Sequence, residues 1–413
     1  MIKNMHSIYL CLSYVFHVFA EIFLKIRIYK KKEDPTRYKE KLGIYKLKNR
    51  DNVLWFHASS LGEIKSILPL IFYYNKKNKK ILITTVTKSS AEYCKSIFKK
   101  NSNIIHQYAP LDTPIIVNKF LNHWKPYLGI FVESELWPNL LFQSAKNSKI
   151  ILLNARLSKK SFGKWIEIKN FARKIFNQFD IILTQSHETK FLIKKFKIEK
   201  IKYLGNLKFC ENINSFNELK NLKKSKIHNW VAMSTHDGEE RFVIDTILKI
   251  KEKKIQSQCF LIPRHIHRVN EIKSLIEKNN LTYTLQSQKI TRNITSDFFI
   301  VDSYGQANQF LTKTNAVFIG GTIVNHGGQN PLEAARLGCS IFNGPFTQNF
   351  TEIFDFLKKN KISKLIKNKD QLADQLINCF KSSNKQTAIK RIIKRRGQKI
   401  LLDHINYLNP YIS

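Results

Sequence analysis

A chain of 413 residues with 43% hydrophobic content is long enough for two cores, and 70 Lys+Arg against 31 Asp+Glu leave a formal charge of +39. That balance selects anionic partners, but the charge is spread along the chain, with local runs only at Lys30-Lys31-Lys32, Lys223-Lys224 and Arg395-Arg396. No zinc knuckle, RNP-type aromatic motif or basic helix array points to nucleic acid, and six scattered cysteines with no CxxC pair indicate neither a disulfide framework nor a zinc site.

Residues 8–24 are apolar and aromatic, interrupted only by His17 and Glu21, and are followed by Lys25-Ile26-Arg27-Ile28-Tyr29-Lys30-Lys31-Lys32. A bilayer span wants about 20 apolar residues, so this segment reads as a membrane-embedded or interfacial anchor with its basic flank on the cytoplasmic side. A buried amphipathic helix is the alternative. The Lys-rich stretch from Asp34 to Arg50 reads as a surface connector.

Strands and helices then alternate. Val53–Ala58, Ile81–Val86, Gly129–Val132, Ile150–Leu153, Asp180–Thr184 and Tyr203–Gly205 are short apolar strands, and the intervening stretches carry helical spacing such as Ile64, Ile67, Leu68 and Ile71. A charged stretch over Glu211–Asn229 reads as a linker. The pattern restarts at Trp230–Ser234, Cys259–Ile262, Phe298–Val301, Ala316–Ile319 and Ser340–Phe342, and ends in a basic amphipathic helix over Lys390–Leu408. The expectation is two Rossmann-like parallel sheets with ligands in a cleft at the carboxyl ends of the strands.

Chemistry-bearing segments follow those strands. Ala316–Thr322 ends in Gly320-Gly321, a second pair Gly327-Gly328 precedes Gln329-Asn330-Pro331-Leu332-Glu333, and together they read as a nucleotide pocket. The glycines would let backbone approach a ligand, Pro331 would open a helix whose free N–H groups favour phosphate, and Glu333 would accept from ribose hydroxyls. The alternative is an ordinary loop between strand and helix. In Ser59-Ser60-Leu61-Gly62-Glu63, the carboxylate at a helix start could take a proton from a hydroxyl nucleophile, or be a solvated first-turn Glu favoured by the helix dipole. Glu133 and Glu135, beside Trp137-Pro138, could bind a cation, orient a sugar or be structural. Arg156 could grip a carboxylate or phosphate in a fork or be a surface arginine, and Lys208 could neutralise anionic charge or be a snorkelling surface lysine. Ser234–Glu240, Pro263–Arg268, Asp302–Ala307 and Asn343–Phe350 complete the set as caps, turns or ligand contacts. His265 and His267 lack a third metal-spaced partner.

In order, His57–Glu63, Glu133–Asn139, Asn154–Ser158, Gly205–Phe209, Ser234–Glu240, Pro263–His265 and Gly327–Glu333 resemble the Kdo (3-deoxy-D-manno-octulosonic acid) transferase family of lipopolysaccharide assembly. The resemblance extends from about residue 57 to 350 and includes the apolar N-terminus. It implies an α/β GT-B fold, and transfer of Kdo from CMP-Kdo to a hydroxyl of a lipid A precursor (lipid IVA) by an inverting glycosyltransferase without a metal or other cofactor. Glu63 matches the catalytic base, and Glu133 and Lys208 match positions of transition-state support. Pro263, Arg264, Tyr304, Gly305, Gln306, Ala307, Asn330, Pro331, Leu332 and Glu333 match CMP-binding segments. The chain departs from the family at Tyr304-Gly305-Gln306, where Met-Gly-Glu is usual, and at Gln329, where His is usual.

The expected organisation is an anchor over 1–32, an N-terminal Rossmann-like acceptor domain over 33–210, a linker over 211–229, a C-terminal CMP-sugar domain over 230–395, and a helix over 396–413 that could pack back on the N-terminal domain. The expected setting is the cytoplasmic side of the inner membrane, with anionic lipid as a partner, no nucleic acid, and an open oligomeric state. A related enzyme using a UDP-sugar, an epimerase of the same fold, and a non-catalytic basic surface-binding protein are the competing readings.

Overall fold

The structure, a computed structural model, describes residues 5–47, 52–99, 101–211, 227–288, 296–381 and 385–412. The chain divides into two compact units, Met1–Asn212 with Arg396–Ser413, and Ile213–Arg395.

The first unit opens with α1 (Met5–Tyr29) and a short 3₁₀ helix (Tyr38–Leu42). There follow β1 (Val53–His57), α2 (Leu61–Lys76), β2 (Ile81–Thr85), α3 (Lys88–Phe98), β3 (Ile104–Tyr108), α4 (Pro114–Trp124) and β4 (Pro126–Val132). Next come α5 (Pro138–Asn147), β5 (Lys149–Ala155), α6 (Lys159–Glu167), α7 (Lys169–Phe176), β6 (Ile181–Thr184), α8 (His187–Lys194) and β7 (Ile201–Tyr203). The strands form a seven-stranded sheet in the order β3-β2-β1-β4-β5-β6-β7. Every pair is parallel. The direction of winding reverses between β1 and β4, which puts a crevice at the carboxyl ends of those strands, where such sheets take ligands.

Central strands are buried on both faces, which is why they read as continuous apolar runs. Trp55 packs on Phe120 and Phe131 at ring separations of 5.0 Å, and burying rings of that size contributes roughly 2–3 kcal/mol apiece. Met5 and Tyr9 of α1 pack against this same core. The stretch after α1 is more than a surface connector: Lys41 is buried, pairs with buried Glu33 at 2.7 Å and donates to the Val86 carbonyl at 2.9 Å. A charge removed from water persists only when paired this way, so the stretch is an ordered strap.

The second unit contains β8 (His228–Thr235), α9 (Glu239–Glu252), β9 (Ser257–Pro263), α10 (Val269–Glu277), β10 (Tyr283–Leu285), β11 (Phe298–Ile300) and α11 (Ala307–Leu311). It continues with β12 (Ala316–Ile319), α12 (Leu332–Arg336), β13 (Ser340–Asn343), α13 (Thr351–Lys359), β14 (Ser363–Leu365) and α14 (Lys369–Lys381). Its sheet runs β10-β11-β9-β8-β12-β13-β14, again parallel in every pair. The winding reverses between β8 and β12. Most of the linker expected over 211–229 lies outside the described residues, and its last two residues, His228 and Asn229, are already strand. The basic tail is a longer helix than expected, α15 (Gln386–Ile412), whose residues from Arg396 onward belong to the first unit. There Ile400 packs beside Gly205, and the Cys210 thiol donates to the Gly397 carbonyl at 3.2 Å.

Candidate active site

Ser60 ends β1's loop as the N-cap of α2, with its Oγ accepting from the Glu63 N–H at 3.3 Å. Glu63 answers reciprocally: Oε1 accepts from Ser60 Oγ and Oε2 from the Ser59 N–H, both at 2.8 Å. This is a variant of the capping box in which the carboxylate reaches the residue before the N-cap, so Glu63 does serve its helix start, though half-buried rather than solvated. Its surroundings add something a plain cap lacks. Burial, and then the nearby charges of Glu135 and Glu133, push the Glu63 carboxyl up to about 7. A carboxylate poised there can accept a proton near neutral pH.

Glu133 follows β4 with φ 60°, a left-handed conformation rare for a residue with a Cβ. Such strain persists only where the surroundings over-determine it. Here the Glu133 N–H donates to the Leu153 carbonyl at 2.9 Å and its own carbonyl accepts from the Arg156 N–H at 3.2 Å. The twist aims its carboxylate at Lys208 Nζ, 2.6 Å away. Lys208 is held in turn by Asn206, whose Oδ1 accepts from its N–H at 2.9 Å, and by Asn154, whose Oδ1 accepts from the Leu207 N–H at 3.0 Å. Asn154, next to last in β5, is fully buried and also left-handed, at φ 54°.

Glu135 takes a different partner. His57 Nε2 lies 3.1 Å from its Oε2, Trp137 Nε1 donates to the same oxygen at 2.6 Å, and His57 Nδ1 meets Thr84 Oγ1 at 2.9 Å. Burial opposes ionisation of Glu135, but these hydrogen bonds outweigh it and hold the carboxyl below its usual range. Glu63, Glu133, Glu135 and Lys208 are thus brought together at the β1/β4 crevice, one carboxylate paired with Lys208 and one held below its usual range beside a third that resists ionisation. Arg156 is half-buried with no ion-pair partner among the described residues. His57 was not singled out as a site residue; its position as the last residue of a strand, directly before the Ser59–Glu63 turn, is the available signal.

The second unit differs from expectation at its glycines. A Cβ on Gly320 would collide with the Ser234 carbonyl, so this glycine serves contact between β12 and β8 rather than approach of a ligand. The N–H groups after it are also taken: Glu239, wholly buried, accepts from Gly321 at 2.6 Å and from Thr322 and Ile323 at 2.9 Å. It accepts from the His236 N–H at 3.0 Å as well. A side chain of the protein thus occupies the backbone at the first glycine pair, where approach of a ligand was expected, because four converging N–H groups need a permanent acceptor when buried. Gly327 and Gly328 do adopt positive φ, 85° and 78°. Helix α12 begins at Leu332, one residue later than expected; Pro331 precedes it, and Asn330 Oδ1 caps the Leu332 N–H at 3.1 Å. Glu333 stands half-buried in its first turn.

Pro263 ends β9 in the core, and Arg264 beyond it is exposed. Arg268, by contrast, is committed to Glu240, Asp237 and Glu271 at 2.8–3.1 Å. His236 stacks on His326 at 4.3 Å and meets Gln329 Nε2 at 3.0 Å, so the unusual Gln329 reaches an imidazole. Burial, then the charges of its neighbours, lower His236 to about 4 and keep it neutral at physiological pH. Tyr304 is exposed, Gly305 sits at φ 80°, and the Gln306 side chain accepts from Gln309 Nε2 at 2.8 Å. That turn and Ala307, which begins α11, follow β11. Arg264, His236 and the 320–333 segment follow β9, β8 and β12, so all stand at the carboxyl edge of one sheet.

The family described as 3-deoxy-D-manno-octulosonic-acid transferase (kdotransferase) matches residues 36–211. The 3-deoxy-D-manno-octulosonic acid transferase of Rickettsia typhi is 34% identical over 87% of this chain and 80% of its own. Among solved structures, the glycosyltransferase of kitacinnamycin superposes with a TM-score of 0.52 at 9% identity, over 88% of this chain and all of its own. The UDP-GlcNAc 2-epimerase of Neisseria meningitidis reaches 0.57 at 12% identity, over 86% and 100%. At such identities the structures establish the GT-B fold and no chemistry, whereas the sequence relatives establish more: the chain belongs to the 3-deoxy-D-manno-octulosonic acid transferase family of glycosyltransferases, which serve lipopolysaccharide synthesis.

Proposed function

We propose that the protein transfers Kdo from CMP-Kdo to a hydroxyl of a lipid A precursor, with Glu63 as general base. The observation that carries this reading is the upward displacement of the Glu63 carboxyl to about 7 in a site whose other carboxylates have partners of their own. The acceptor oxygen attacks the anomeric carbon of Kdo as its proton passes to a Glu63 oxygen. The bond from that carbon to the phosphate oxygen breaks, and CMP leaves with the electron pair. One displacement inverts the anomeric centre. Lys208 and Arg264 offset negative charge on the sugar carboxylate and the departing phosphate, and Arg156 offers a fork to a carboxylate or lipid phosphate. A single-phosphate leaving group is within reach of such cations, so the proposal includes no metal. The Glu133–Lys208 pair holds a fixed dipole beside the reacting centre.

On the donor side, exposed Arg264, the Tyr304–Ala307 turn and the Asn330–Glu333 segment are the proposed CMP contacts. The nest filled by Glu239 is not among them.

The acceptor is an acylated anionic lipid, and α1 suits it. This helix is long and apolar enough to cross a membrane. One face carries exposed Ile8, Leu12, Val15, Phe19, Ile22 and Ile26, while Ser13, Ala20 and Leu24 are buried. A helix with one face committed to protein is proposed to lie in the cytoplasmic leaflet of the inner membrane, with Lys30–Lys32 at the headgroups, each cation contributing roughly 1 kcal/mol.

The test is incubation with CMP-Kdo and a tetra-acylated lipid A precursor, with products weighed by mass spectrometry. The precursor gains Kdo with wild-type enzyme and gains none with Glu63→Gln. Protection against thermal unfolding by UDP in place of CMP would favour the UDP-sugar alternative.

A further inference from the structure

We propose that Asp112 and Tyr9 are positioning residues for transfer, joining the apolar N-terminal helix to the loop that carries Glu133 and Glu135. The functional part rests on the reading of that loop as part of the transferase site.

Helix α5 starts directly after this loop, and its first N–H groups have no partner within the helix. Its N-cap, Trp137, makes no side-chain cap bond, since an indole N–H can only donate, and here it donates to Glu135. The acceptor comes from a different loop. Asp112 Oδ1 accepts from the Leu140 N–H at 2.7 Å and Oδ2 from the Asn139 N–H at 3.2 Å, while the Asp112 carbonyl accepts from Asn139 Nδ2 at 2.7 Å. The loop from Glu133 to Trp137 is therefore suspended between β4 and a helix start fixed by Asp112.

The same carboxylate takes one more hydrogen bond, from the Tyr9 hydroxyl of α1 at 2.6 Å. Burial pushes Asp112 upward, and the Tyr9 hydroxyl leads the groups that pull it back towards the charged form that caps best. The next residue repeats the arrangement: Thr113 caps α4 through the Ile116 N–H at 3.4 Å and meets His17 Nδ1 of α1 at 3.1 Å. A helix that only anchored the chain would need neither contact. Phenylalanine at position 9 would keep the packing against the core, so the hydroxyl has a separate task. It makes the seat of α1 felt at Glu135, and through Glu135 at Glu63.

The experiment uses the full chain on anionic vesicles containing the lipid A precursor. Tyr9→Phe is expected to lower kcat about five- to twenty-fold with KM for CMP-Kdo unchanged, as for loss of one hydrogen bond to a charged group. Hydrogen exchange of the amides in residues 133–142 should accelerate while vesicle binding stays at the wild-type level. Asp112→Asn should lower kcat further, and adding Tyr9→Phe to it should change nothing more, since both act through one contact. Wild-type exchange in residues 133–142, additive effects in the double variant, or a fall in kcat that tracks lost vesicle binding would each overturn the proposal. Should Asp112→Asn not fold, the Tyr9→Phe arms decide. If wild-type enzyme moves no Kdo, the functional reading fails on its own, and exchange in the Tyr9→Phe protein still decides whether helix and loop are coupled.

Discussion

Glu63 in the first unit and Glu239 in the second stand at the same place in their folds, in the first turn of the helix that follows the unit's first strand. Each accepts a hydrogen bond from a backbone N–H a few residues upstream, Ser59 in one case and His236 in the other. From there they diverge. Glu239 is wholly buried and gathers three further N–H groups from Gly321 to Ile323, so both its oxygens are satisfied by backbone. Glu63 faces Glu133 and Glu135 and is left reluctant to ionise. The same position thus yields a structural staple in one unit and the proposed proton acceptor in the other. What separates them is the number of donors and the two carboxylates that stand beside Glu63.

The largest effect that sharpens this contrast is on turnover. Glu63→Gln removes the proposed base and should lower kcat by about 10²–10⁴-fold while sparing protection by CMP, read by single-turnover kinetics and thermal shift. Near-wild-type turnover would leave Glu63 a cap and no more. Stability should show the reverse order. Glu239→Ala strands buried N–H groups and is expected to cost about 3 kcal/mol or more, measured by urea unfolding of the second unit's transition. Glu63→Gln should be no less stable than wild type above pH 7. The carboxyl is raised in the folded state, so the folded protein holds a proton that the unfolded chain releases, and stability falls as pH rises from the ordinary carboxylate range through about 7. Glutamine abolishes that loss. A Glu63→Gln protein as damaged as Glu239→Ala would erase the distinction.

A smaller effect concerns Gly320. Gly320→Ala must push the Ser234 carbonyl away and should lower the melting temperature of the second unit by several degrees, about 1–3 kcal/mol. CMP affinity should change little once the protein is folded. A large loss of CMP affinity with the melting temperature intact would restore the ligand-facing reading of this glycine.

That glycine also marks where sequence reasoning stopped. Central strands were legible because burial on both faces writes them as apolar runs. The strands that escaped notice, β3, β10 and β14, lie at sheet edges, where polar residues such as His106, Gln107, Thr284 and Lys364 break the run. Gly320-Gly321 was read as making room for a ligand, since a sequence shows that backbone must come close but not what it comes close to. The occupant, Glu239, lies over eighty residues away in the chain. Lys41 looked like one more surface lysine because its partner Glu33 and the Val86 carbonyl come together only in the fold. The carboxylates after β1 and β4 were visible as motifs. Their ranking, with Glu63 raised and Glu135 lowered, depends on His57 and Trp137 reaching Glu135, which spacing alone does not reveal.

The smallest shift is the most direct probe, the pH dependence of kcat/KM in wild type and Glu135→Gln. The wild-type acid limb should turn near the value of about 7 set by burial and by the two neighbouring carboxylates, and Glu135→Gln, which removes one of those charges, should move it to lower pH. A limb in the ordinary carboxylate range, or one that stays in place when Glu135 loses its charge, would contradict the assignment of Glu63 as the base.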